Sequence, residues 1–104
     1  MASYIQANLR RSGLACDLLH AVAAEEGIDV LIISEPCRRR DLPRSTTDKW
    51  GTAVVQIMNA ALRETGPAVS GRGFARKIIA GTAVYSCYYS PSLKPGEAED
   101  ALHV

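Results

Sequence analysis

An α/β fold follows from two observations. Residues 1–36 read as strand, helix and strand in their apolar pattern, and the strand that closes this unit is aliphatic on both faces. Beyond them lie further short strand patterns punctuated by glycine, serine and proline.

Residues 4–9 alternate, with Ile5, Ala7 and Leu9 on one face and Tyr4, Gln6 and Asn8 on the other, which is the period of a strand. Arg10, Arg11 and Ser12 break that pattern. Ser12 suits an N-cap, and Leu14, Leu18, Leu19, Val22 and Ala23 recur at helical spacing up to Gly27, a residue suited to the left-handed C-terminal position. Residues 28–33 are nearly all aliphatic, as in a strand covered on both sides. A strand-helix-strand unit of this kind makes a parallel crossover, and ligands gather beyond the carboxyl ends of its strands.

Residues 37–49 are polar and rich in arginine, with Pro43 among them, and read as an exposed loop. Residues 51–58 predict a third strand, and residues 59–73 mostly connection. Two more strands are expected over 74–79 and 82–89, turning at Gly81, and the stretch KPGEAEDALHV opens like a helix that stops within about two turns.

With 104 residues, 47% hydrophobic, the chain predicts a single globular domain spanning residues 1–104. A net charge of +1 gives no overall field for nucleic acid or membrane, so only local clusters can carry such a reading. Cys16, Cys37 and Cys87 are odd in number and form no C-x-x-C pair, against both a disulfide framework and a zinc knuckle. Together with the absence of a signal-peptide pattern or a membrane-length apolar run, this predicts an intracellular protein, nuclear or cytoplasmic, and not a secreted one.

Glu35 ends the second strand and is followed at once by Pro36, which pushes the preceding residue toward extended backbone. A rigidly held carboxylate suits a hard divalent cation such as magnesium, and it equally suits an ion pair with the arginines that follow. Asn8 ends the neighbouring strand and can reach the same place or simply form a turn. Arg38, Arg39 and Arg40 read as phosphate contacts or as a solvated loop, and Trp50 and Tyr89 as stacking surfaces for bases or as core. Cys37 lies seven residues before Arg44, one too many for the phosphate loop of thiol phosphatases. Cys16 and His20, four apart on the helix, lack further ligands for a metal.

Taken in order, IQANLRRSG, DVLIISEP, GRGFARKI and VYSCYYSPS resemble the N-terminal half of the endonuclease domain of non-LTR (LINE-type) retrotransposon polyproteins, in the endonuclease/exonuclease/phosphatase superfamily. The resemblance implies half of a four-layered α/β sandwich and a Mg2+- or Mn2+-dependent DNA endonuclease, whose nick primes reverse transcription. By the same resemblance Glu35 is the metal-binding glutamate, Asn8 the active-site asparagine of the first strand, and Tyr89 the tyrosine of a Y-x-P motif near the scissile phosphate.

The sequence departs from that pattern in two places. Cys37 stands where the family commonly has tyrosine, and the G-D-x-N and S-D-H segments of the family's second half do not occur. A truncated domain, inactive alone, is therefore expected, with one apolar sheet face uncovered and prone to self-association. A non-catalytic module that binds nucleic acid or protein on the same scaffold is the alternative.

Overall fold

The computed structural model describes residues 2–37 and 41–88. In chain order the elements are β1 (Tyr4–Asn8), α1 (Gly13–Glu26), β2 (Val30–Ser34), β3 (Ser45–Thr47), β4 (Ala53–Ile57), β5 (Val69–Ser70), β6 (Phe74–Ile79) and β7 (Thr82–Cys87). They build a four-stranded sheet in the order β1-β2-β4-β3 and a three-stranded sheet in the order β5-β6-β7.

β1 and β2 pair in parallel, with Tyr4 opposite Val30 and Asn8 opposite Ser34, so both strands end on the same side. The helix that joins them starts and stops on its expected caps. Ser12 Oγ accepts from the Ala15 amide at 3.1 Å, and Gly27 closes the helix at φ +67°, a conformation that glycine adopts without a Cβ penalty.

Which face of α1 is buried differs from the periodic reading. Cys16 and Ala23 are buried against Leu9, Leu31, Ile33 and Val54, with Ala15 and Leu19 beside them, whereas Leu14, Leu18 and Val22 face outward. Apolar residues occur on several sides of this helix, so spacing alone could not choose. The side chains that α1 turns to the sheet are thus mostly small ones, Ala15, Cys16 and Ala23, with Leu19 beside them.

The other face of the four-stranded sheet packs on the three-stranded one. Val30, Val55 and Ile57 meet Ile79 and Val84 in a second apolar cluster. β2 and β4 therefore lie inside three layers, and Val30, Leu31, Ile33, Ala53 and Val55 are completely buried. Polar ties join the two sheets. Ser86 Oγ donates to the Ile33 carbonyl at 2.8 Å, Ser70 Oγ donates to the Thr47 carbonyl at 2.7 Å, and the Lys49 amide donates to the Gly71 carbonyl at 2.8 Å.

Two short strands lie where connection was expected. β3 pairs Ser45 to Thr47 with Gln56 to Val54, and β5 sets Val69 and Ser70 against Arg76 and Ala75. Three and two residues are too few to show a period. What aims β3 is Arg44, left-handed at φ +54°, whose guanidinium holds the Asn59 and Leu62 carbonyls at 2.9 and 2.6 Å.

The larger sheet is thus covered on both faces, by α1 and by the smaller sheet. On the outer face of the smaller sheet Ala83, Tyr85 and Cys87 are exposed. The helix-like stretch expected near the C-terminus lies outside the described residues. No helix among those residues is long and apolar enough to cross a membrane.

Candidate active site

The chain leaves β1 and β2 side by side, and the two exits are bonded together. The Leu9 amide donates to the Ser34 carbonyl and the Arg11 amide to the Glu35 carbonyl, each at 2.9 Å. Arg10 and Arg11 both turn through the left-handed region, at φ +49° and +62°. Asn8 Oδ1 accepts from the Arg10 amide at 2.9 Å, so Asn8 shapes this turn at the strand end beside Glu35.

Glu35 is not extended, as Pro36 predicts, but left-handed at φ +49°. Three contacts override the local preference. Its amide donates to the Thr52 carbonyl at 2.8 Å, its carbonyl accepts from Arg11, and its carboxylate Oε1 accepts from the Tyr88 hydroxyl at 3.0 Å. The Arg11 guanidinium spans the adjoining loops, donating to the Pro36 carbonyl at 3.0 Å and to the Gly51 carbonyl at 2.6 Å.

Tyr88, whose hydroxyl bonds Glu35, was not singled out in the sequence, where Tyr89 was named. A signal was present. Along β7 the residues buried toward the larger sheet are Val84 and Ser86, and the same period of two reaches Tyr88. Tyr89 lies outside the described residues, as do Arg38, Arg39 and Arg40. The hydrogen bond to Glu35 raises the Tyr88 phenol above its ordinary value, helped by desolvation and the carboxylate's charge and opposed by Arg11.

A second carboxylate lies nearby but is fully engaged. Buried Asp48 accepts from the Thr52 and Ala53 amides through Oδ1, at 2.6 and 2.9 Å, and from the Thr52 hydroxyl and the Gly73 amide through Oδ2, at 2.6 and 3.1 Å. It fastens the β3–β4 turn to the smaller sheet. Trp50, next in the same turn but one, is partly exposed and lies against Gly73, where a Cβ would approach its ring to 3.1 Å.

Cys16 belongs to the core and His20 is half-buried beside it. His20 Nδ1 lies 2.8 Å from the Cys16 carbonyl and Nε2 lies 2.7 Å from Gln56 Oε1, while the Gln56 amide nitrogen donates to the Pro43 carbonyl at 3.2 Å. Cys37 borders a cavity of about 270 Å³ that opens beside Pro36 and Gly51.

Among the described residues no group of three or more histidines, cysteines or carboxylates could hold a metal. The donor set at the strand ends fits a narrower requirement. Glu35 offers one hard, anionic oxygen donor held on a fixed backbone, and magnesium typically takes one or two protein carboxylates and completes its shell with water and phosphate.

No protein-family model and no curated protein matches the sequence significantly. Among solved structures, the endonuclease domain of TRAS1, a telomere-specific non-LTR retrotransposon, superposes with a TM-score of 0.75 at 21% identity, over 99% of this chain and 51% of that one. The two share a fold. The α/β architecture expected from the sequence is therefore that of an endonuclease domain, and the chain spans about half the length of the structure it matches.

Proposed function

We propose that the chain is part of a Mg2+- or Mn2+-dependent DNA endonuclease domain of the non-LTR retrotransposon kind, and that these residues alone cleave DNA little or not at all. The observation that carries this reading is the Glu35 carboxylate, held at paired strand ends and bonded to Tyr88, on a fold shared with such an endonuclease.

Glu35 would hold the cation, and Tyr88 fixes one carboxylate oxygen so that the group does not swing between rotamers. Asn8 closes the β1 turn beside it and presents its amide to the same end of the sheet. When bound, the cation supplies Lewis-acid polarisation of the phosphate and a more acidic water. Tyr89 beside the scissile phosphate, and Arg38, Arg39 and Arg40 as backbone contacts, rest on the sequence resemblance and basic charge. An intracellular site of action, nuclear or cytoplasmic, goes with a DNA substrate.

Among the described residues no free histidine is placed to take the proton from the attacking water. His20 is the one histidine among them, and its ring is tied to Gln56 and the Cys16 carbonyl. The second reading is a module that binds nucleic acid or protein on the same scaffold without cleaving it.

Relaxation of supercoiled plasmid in Mg2+ tests the proposal. The isolated chain should nick no faster than buffer, yet bind Mn2+ in a manner lost in Glu35→Ala. Nicking abolished by Glu35→Ala would refute the inactivity, while DNA binding with no Mn2+ bound at all would favour the non-catalytic module.

A further inference from the structure

The left-handed backbone at Glu35 is unusual for any residue with a side chain and more so before proline, which favours the extended region. Such a conformation is strained and persists only where neighbouring groups over-determine it. Those neighbours are identifiable: Thr52 and Tyr88 each bond Glu35 once, and Arg11 bonds both Glu35 and the residue after it. The Arg11 amide donates to the Glu35 carbonyl, and the Arg11 guanidinium donates to the next carbonyl, that of Pro36, and to the Gly51 carbonyl across the site.

We propose that Arg11 is a positioning residue: its guanidinium holds Glu35 in the left-handed conformation that turns the carboxylate toward Tyr88. Three facts point the same way. Both bonds leave one nitrogen, Nη1, whose two hydrogens are fixed in the guanidinium plane and so aim at two carbonyls in set directions, which a lysine ammonium on a flexible stem does poorly. Its two acceptors lie in different loops, after β2 and before β4, so it fixes the spacing of the walls on either side of Glu35. Arg11 itself is left-handed at φ +62°, the turn that sets its amide on the Glu35 carbonyl and its side chain beside Pro36.

Arg11 is therefore not a free phosphate contact, as a cation beside a nuclease site would suggest. It acts through Glu35, and its importance for metal binding rests on the function proposed above, whereas its hold on the backbone does not.

The full 104-residue chain allows both to be tested. Arg11→Gly removes the guanidinium and suits the positive φ, so the turn is kept. The three-bond amide–Hα coupling of Glu35, read by NMR without metal, should move to the extended value, and adding Pro36→Ala should restore it. Mn2+ affinity should fall by roughly 10–100-fold, the usual effect of removing a group that orients a ligand. Arg11→Lys, which keeps the charge, should behave like the glycine variant.

An unchanged Glu35 coupling in both variants would overturn the proposal, as would a changed coupling with unchanged Mn2+ affinity. If the parent chain binds no Mn2+ while the coupling still moves, the metal reading falls and the positioning of Glu35 stands.

Discussion

The Ser86 hydroxyl donates to the Ile33 carbonyl at 2.8 Å, joining the edge strand of one sheet to a central strand of the other two residues before Glu35. Ser86 is 1% exposed, so water cannot replace this bond. Ser86→Ala should lower stability by about 1–2 kcal/mol, read as a shift in the urea midpoint at constant slope. An unchanged midpoint would mean that the bond contributes nothing to docking of the sheets.

Gly71 meets the ring of Phe74, and a Cβ there would fall 2.0 Å from a ring carbon. Phe74 is buried, so its ring has little room to withdraw. Gly71→Ala should cost about 1–3 kcal/mol by overpacking. Gly51→Ala meets no atom within 4 Å but places a side chain at φ +69°, a separate kind of strain in the loop that Arg11 holds. Thermal unfolding of the two variants compares steric with conformational cost.

Tyr88 gives an alkaline limb to stability. Its phenol is raised in the folded protein, first by the hydrogen bond to Glu35, so the neutral form is favoured by folding. That contribution is complete below the ordinary phenol value and is lost as pH rises through the folded one. Stability of the parent chain should decline there, and Tyr88→Phe should lack this component of the decline. Denaturant titrations across that range compare the two.

The acid limb belongs in part to Asp29. Its carboxyl is lowered, mainly by the Ser3 amide and next by the Asn59 side chain, which fasten the chain ahead of β1 and the exit of β4 to the start of β2. A lowered value means stability present above the ordinary carboxylate range and lost as pH falls through the folded value. Asp29→Asn should be less stable near neutrality and have a shallower acid slope, seen in urea titrations over the acid range.

Strands and caps with full local signals were readable in the sequence: the aliphatic run of β2, Ser12 and Gly27 around α1, and Gly81 between β6 and β7. What was not readable arises from contacts far apart in sequence. The backbone of Glu35 obeys Thr52, Arg11 and Tyr88 rather than Pro36, and β3 exists because β4 offers it an edge. The buried face of α1 was hidden because leucine looks more like core than alanine or cysteine does, yet Cys16 and Ala23 are buried while Leu14 and Leu18 are exposed. Asp48 carried no signal at all, since a carboxylate in a polar loop looks like solvent-facing charge until its four donors come from three places.

Those four bonds bear on how the molecule opens. If the smaller sheet lifts away, the Gly73 amide leaves, and an anion seated among Thr52 and Ala53 loses part of its solvation before water has reached it. Partial separation is thereby the least favourable condition for Asp48, worse than either closed or flooded. Asp48 therefore opposes the first step of opening between the sheets more than the later ones.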